Sequence, residues 1–258
     1  MTKRQLEIAL SLCDCCENRV SVDEYIAANA LLDDSARHPW LLANWPVVFK
    51  HQTSPNAELR SIQLFDTRDD RSYLFNIGNA LPLEHEPQLM MFGKPCQMRR
   101  DVGFFAAPGI SGYKYGGQES LASPLTPELQ RLIELVNRVC GSQFNGILVN
   151  RYNTDDEYIS PHSDNESNLS PGVGVVAISV GASRTMDFAM KQPPFTVEHF
   201  EMTDGSALCM YGSQFQQLYT HGIKPVPMKK RAKAFVATKT QRTRISFTFR
   251  RHELNKTQ

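Results

Sequence analysis

Residues 244-RISFTFR-250 alternate without a break. On an extended chain Arg244, Ser246, Thr248 and Arg250 share one side, and Ile245, Phe247 and Phe249 the other. This is a strand with both faces occupied. Burying two guanidinium groups is costly unless an anion meets them. Arginine grips carboxylates with two parallel hydrogen bonds, so a dicarboxylate is a natural anion for this face. Upstream, the runs 147–152, 174–181, 185–190, 196–202, 206–211 and 218–223 also read as strands, and 243–250 closes the series. They are separated by Gly, Pro and Asn turns with no helix between them, which indicates a sandwich or jelly roll. The fold class is therefore mostly β with flanking helices. The connection 224–242 is long, basic and interrupted by Pro225 and Pro227, so it reads as a surface loop near the substrate.

A second stretch, 147-ILVNRYNTDDEYISPHSDNES-167, starts as an apolar strand and alternates into Asn150 and Tyr152 before entering a polar loop. That loop delivers His162 and Asp164, whose spacing puts imidazole and carboxylate on one face of an extended chain. One more histidine from a distant strand would complete a 2-His-1-carboxylate triad, the open-sided site of non-haem Fe(II) oxygenases. His221, in 219-YTHGIKP-225, is the candidate. His199 lies on another predicted strand, but Glu198 and Phe200 flank it and no Gly-Ile-Lys-Pro turn follows. His38, His51, His85 and His252 read as surface or packing residues.

A His-x-Asp pair alone is common by chance. Its company is not: NRY at 150, HSD at 162, 176-VAISVGASRTMDF-188, YTH at 219 and RISFTFR at 244 occur in order. Together they resemble the AlkB family of Fe(II)- and 2-oxoglutarate-dependent dioxygenases, over residues 90–251. The resemblance implies a double-stranded β-helix (jelly roll) core that oxidatively removes alkyl groups from nucleobases. It implies that His162, Asp164 and His221 are the catalytic ligands of Fe(II), with 2-oxoglutarate and O2 on the open positions. It also implies that Arg244 pairs with the distal carboxylate of 2-oxoglutarate, assisted by Asn150 and Tyr152. Thr248 and Arg250 complete that pocket.

Residues 89-LMMFGKPCQMRRDVGFF-105 read as an apolar strand, a Phe-Gly-Lys turn and a basic return through Arg99 and Arg100. In 111-SGYKYGG-117, Tyr113 and Tyr115 share one face and interleave with Lys114. Both segments resemble the nucleotide-recognition part of AlkB-like enzymes. By that resemblance Tyr115 stacks on an extruded base, opposite the His162 side. Phe92, with Gly93 and Lys94, approaches the nucleic acid as a wedge, and Asn165 and Glu166 read the base edge. Two departures stand out: Asn165 replaces a frequent acid, and Ser246 replaces a frequent Asn. The expected partner is alkylated DNA or RNA, bound by a monomer. Two rival classes stay open, an oxygenase of this type acting on protein or lipid and a catalytically silent jelly-roll binding module.

The chain has 258 residues and is 41% apolar, which suits one domain with an N-terminal extension. The expected boundary separates 1–88 from an oxygenase domain at 89–258. No run of 18 apolar residues spans a membrane, and the scattered cysteines suit a reducing compartment, so the expected location is intracellular, in nucleus, cytoplasm or nucleoid. Cys13, Cys15 and Cys16 lack a second Cys/His pair at zinc-site spacing. Net charge is +1 but uneven: residues 206–258 carry 11 Lys/Arg against Glu253 alone, leaving 17 Lys/Arg against 26 acids before them. That asymmetry suits a nucleic-acid face on the C-terminal side. Spacing predicts two short helices within 5–32 and a strong helix over 126–139, with Thr126 as N-cap, Pro127 in the first turn and Gly141 at the end. Residues 36–88 read as irregular, with a possible hairpin over 65–76 around TRDDR. No chemistry is expected in the first 85 residues.

Overall fold

The computed structural model describes residues 45–91, 94–115, 118–164, 169–170, 174–227 and 242–253, with backbone alone at 91, 113–115 and 118–120. Along the chain run β1 (Val47–Lys50), β2 (Glu58–Gln63), α1 (Arg68–Ala80), β3 (Gln88–Met91), β4 (Lys94–Gln97) and β5 (Asp101–Ala106). Next come β6 (Gly112–Tyr115), β7 (Gln118–Leu121), β8 (Ser123–Pro124), α2 (Pro127–Cys140), β9 (Gly146–Tyr152) and β10 (Ile159–His162). The rest are β11 (Gly174–Gly181), β12 (Arg184–Met190), β13 (Val197–Met202), β14 (Ser206–Tyr211), α3 (Phe215–Leu218), β15 (Tyr219–Ile223) and β16 (Arg244–Arg250).

An eight-stranded sheet in the order β1-β2-β14-β11-β16-β9-β5-β8 faces a four-stranded sheet in the order β10-β15-β12-β13. Pairing is antiparallel except for β5 with β8. Two hairpins, β3-β4 and β6-β7, stand outside these sheets. This is the jelly-roll class that the strand pattern implies.

Alternation sorts the large sheet into two faces. Ile147, Val149, Val176, Ile178, Ile245, Phe247 and Phe249 pack in one apolar cluster with Leu74 of α1 and Leu129, Leu132, Ile133 and Val136 of α2. The helices therefore seal the outer face. Tyr152, Val175, Leu208 and Met210 turn the other way and meet Phe188, Phe215, Tyr219 and Ile223 across the gap between the sheets. The polar residues of β16 look into that gap.

Most predicted elements are present within a residue or two at their ends. The helix over 126–139 is α2, with the Thr126 side chain accepting from Leu129 N–H and Gly141 in the left-handed region at φ 60°. The Phe-Gly-Lys hairpin is present as β3 and β4, with Met91 paired to Lys94. The segment 65–76 is a correction: it is not a hairpin but the start of α1. Thr67 caps it, accepting from Asp70 N–H at 3.1 Å, and Asp69 and Asp70 sit in the first turn where the helix dipole favours acids. TRDDR is thus a helix start, not a turn. The stretch 36–88 is also more regular than expected, because β2 pairs with β14 and joins the main sheet across the expected boundary at 88. The helices expected over 5–32, and Cys13, Cys15, Cys16 and His38, lie outside the described residues. No described helix is long and apolar enough to cross a membrane.

Candidate metal and co-substrate site

His162 closes β10, and its antiparallel pairing with β15 sets it opposite His221, with ring centroids 4.4 Å apart. This alignment contains a bulge. Three residues lead from Ile159 to His162, while only two lead from Ile223 to the facing His221. The extra residue at Ser160-Pro161 is absorbed in the bulge, so that His162 rather than Pro161 stands opposite His221. Pro161 is tolerated there because a bulge spares it from donating to the ladder. Gly222 lies against the bulge, where a Cβ would meet Ile159 O and Pro161 N at 2.9 Å. The glycine after His221 therefore gives the bulge its room.

Asp164 follows two residues later and is buried. Its N–H donates to Gln216 Oε1 at 2.9 Å, and the neighbouring Ser163 hydroxyl donates to Tyr219 O at 2.7 Å, so α3 and β15 hold the turn. One donor atom from each of His162, Asp164 and His221 lies within 4.8 Å of the others, the one such group among the described residues. The Ser160 carbonyl can only accept, so the 2.9 Å contact puts the proton of His162 on Nδ1 and leaves Nε2 for a metal. Burial pushes His221 down to about 3, with His162 adding to the effect, and burial lowers His162 too. Burial alone would raise the Asp164 carboxyl, but the Arg250 guanidinium bonded to it holds it below the usual range. The 3.7 and 3.8 Å spacings from Nε2 of His162 and His221 to Asp164 are therefore not ion pairs at neutral pH. Two neutral imidazoles and an anion converge on one space, and Asp164 Oδ2 has no hydrogen-bond partner. That donor set fits Fe(II).

The inner face of β9 and β16 continues the site. Tyr152 stands opposite Arg244, Asn150 opposite Ser246, and Leu148 opposite Thr248. Arg244 is fully buried. Its Nε donates to Ser179 Oγ at 2.9 Å, Nη2 approaches Met202 Sδ at 3.2 Å, and the guanidinium lies 5.3 Å from the Tyr152 ring centroid. Nη1 has no hydrogen-bond partner, and burial pulls the group down to about 10. No carboxylate pairs with this guanidinium among the described residues. At the far end of the strand Arg250 donates through Nη2 to Asp164 Oδ1 at 2.5 Å. Both ends of RISFTFR thus face the gap as alternation demands, but Arg250 supports the metal ligand directly.

The sequence reading missed several contributors. Gln216 sits on a distant element with no motif around it, and Ser179 lies inside 176-VAISVGASRTMDF-188 without a role assigned to it there. Arg184 donates to the carbonyls of Glu157 and Lys224 at 2.7 and 2.8 Å and lies 5.7 Å from the Tyr152 ring, closing that end of the gap. Arg100 was read only as part of a basic return, yet it is buried with Nε 2.7 Å from Asn150 Oδ1. Among the proposed substrate residues, Lys94 is exposed on β4, and Tyr113, Lys114 and Tyr115 belong to β6. Phe92, Gly93, Asn165 and Glu166 lie outside the described residues. His199 is exposed and bonded to Asp187 at 2.7 Å, well away from any metal role.

The family model for the 2OG-Fe(II) oxygenase superfamily matches residues 68–250. The chain belongs to the 2OG-Fe(II) oxygenase superfamily. Its curated relatives bear out the AlkB resemblance. A mouse protein described as DNA oxidative demethylase ALKBH2 is 30% identical over 171 residues, covering 64% of this chain and 66% of that protein. The human protein of the same description is 28% identical over 176 residues, covering 66% and 62%. An Arabidopsis thaliana protein so described is 30% identical over 109 residues, covering 41% and 34%. The matched segment spans a little under two thirds of the mouse and human relatives. As a superfamily member the chain uses Fe(II), 2-oxoglutarate and O2, and the described triad is compatible with Fe(II).

Proposed function

We propose that this oxygenase oxidatively demethylates, or otherwise dealkylates, N-alkylated bases in DNA or RNA, releasing an aldehyde, succinate and CO2. One observation carries the reading: the triad and the anion-seeking Arg244 face the same gap, in a chain whose relatives are described as DNA oxidative demethylases. Bound Fe(II) with 2-oxoglutarate and O2 supplies the oxidising chemistry that hydroxylates the alkyl carbon. The protein's own task is placement. His162, Asp164 and His221 would hold the metal. Arg244 pairs with the distal carboxylate of 2-oxoglutarate, with Asn150 and Tyr152 beside it, while Thr248 and Arg250 complete the pocket. Once hydroxylated, the N-alkyl group leaves as an aldehyde without a dedicated acid or base.

A paired base cannot reach a metal held between two sheets, so the base must be extruded. In this reading Tyr115 stacks on the base, Phe92 fills the vacated space, and Gly93 and Lys94 bring the hairpin tip to the backbone. Tyr113 and Lys114 line the approach, and Asn165 and Glu166 read the base edge. The basic stretch around Lys229, Lys230 and Arg231, outside the described residues, neutralises phosphates. The decisive experiment is succinate release with Fe(II) and 2-oxoglutarate across methylated DNA and RNA oligonucleotides. Turnover on a methylated strand and not on its unmodified copy is expected. Silence across the panel, with turnover on a protein or lipid substrate instead, would overturn the nucleobase reading.

A further inference from the structure

We propose that Arg100 is a positioning residue that fixes the Asn150 carboxamide so that its N–H2 group is presented to 2-oxoglutarate. The inference rests on the reading of Asn150 as a co-substrate residue. Arg100 follows β4 and immediately precedes β5, whose Val102 is the direct partner of Asn150. It is therefore the diagonal neighbour of Asn150 across the strands, within reach of a long side chain. Its guanidinium is buried, and Nε lies 2.7 Å from Asn150 Oδ1.

A guanidinium carries donors and no acceptor, so the amide atom facing it must be the oxygen. Flipping Asn150 would set N–H against N–H in a dry site. With Oδ1 taken, what the side chain has left to offer is its two N–H donors. Asn150 stands on the same face as Arg244, opposite Ser246 and two residues from Tyr152. A carboxylate or keto oxygen requires donors there, and an amide free to flip would have to be ordered on binding. Arg100 removes that ambiguity.

The cost of the arrangement also points to placement. No carboxylate pairs with Arg100 among the described residues, and an amide oxygen is modest compensation for a buried cation. The peptide before it is pinned as well, since Tyr158 N–H donates to Arg99 O at 3.1 Å. The side chain therefore starts from a fixed backbone at the foot of the β3-β4 hairpin.

The test is equilibrium binding of 2-oxoglutarate to the Mn(II)-loaded full chain, read by calorimetry in the absence of turnover. Asn150→Ala should weaken binding by roughly tenfold to a hundredfold, the value of one charge-assisted hydrogen bond. Arg100→Met should weaken it in the same direction by about tenfold or more, and Arg100→Lys, which keeps a donor and the charge, should recover part of the loss. In the Asn150→Ala background, Arg100→Met should add nothing, because it acts through the amide. Mn(II) affinity and cooperative melting serve as folding controls. Normal 2-oxoglutarate binding by a folded Arg100→Met protein would overturn the proposal, as would a full additional loss in the double variant. Normal binding by Asn150→Ala is a separate failure, since it removes Asn150 from the co-substrate pocket altogether.

Discussion

The two faces of the large sheet are built from the same strands and follow opposite rules. On the face under α1 and α2, Ile147, Val149, Ile178, Ile245, Phe247 and Phe249 are buried and apolar, with nothing left to satisfy. On the face toward the small sheet the same β9 and β16 bury Asn150, Arg244, Ser246, Thr248 and Arg250. On that side Arg244 Nη1, Asp164 Oδ2 and His221 Nδ1 have no hydrogen-bond partner. A buried polar atom left unpaired costs free energy, so a cluster of them marks where ligands complete the structure. One face holds the sheet together, and the other carries the polar side chains of the candidate site.

That contrast can be broken most sharply at His221. His221→Ala is expected to bring succinate release to background while thermal melting remains cooperative, because the outer face still holds the fold. Retained turnover, with His199 then essential, would move the third ligand. The mirror experiment is Phe247→Ala. Truncating a buried phenylalanine on the helix face should cost about 3–5 kcal/mol of stability in chemical denaturation. The molecules that remain folded should bind 2-oxoglutarate as before, and a parallel loss of affinity would show that the faces are not separable.

Arg244→Met sharpens the comparison from the other side. Affinity for 2-oxoglutarate should drop by about 2–5 kcal/mol, since a carboxylate would be left buried without its cation. The ligand-free protein should melt no lower than the parent, because an unpaired buried charge has been removed. A lower melting temperature with unchanged affinity would make Arg244 a structural residue.

The smallest expected effect is a pH slope. His252, just beyond β16, is buried against Phe104, and neither ring nitrogen has a hydrogen-bond partner. Burial, reinforced by Arg250, pushes it from 6.5 down to about 4. The folded state therefore binds this proton less readily than the unfolded chain. Its stabilising contribution is complete above pH 6.5 and is lost progressively as pH falls toward about 4. Replacing His252 with Phe should flatten the stability–pH curve of the metal-free protein in that window by up to one proton. An identical curve would mean that His252 titrates normally.

What was legible in the sequence follows from range. RISFTFR declared its two faces because alternation is local, and α2 declared itself through Thr126, Pro127 and Gly141. The triad was legible because HSD and YTH keep their chemistry within a few residues. TRDDR misled because threonine and aspartate serve turns and helix starts alike, and only the packing of Leu74 under the sheet decides between them. Arg100, Ser179 and Gln216 were opaque for a different reason. Each acts on a residue more than 45 positions away, and sheet register, which no short window contains, brings the pairs together.

The bulge at Ser160-Pro161 makes the site unequally sensitive to changes in chain length. Removing one residue between Ile159 and His162 would leave two residues facing two, which is ordinary pairing, and the histidine would still emerge beside His221. Adding one would offer four against two, with Gly222 already pressed by the backbone opposite. The pair of ligand strands therefore has slack in one direction only: shortening this segment by one residue keeps the two histidines facing, and lengthening it by one turns a ligand away from its partner.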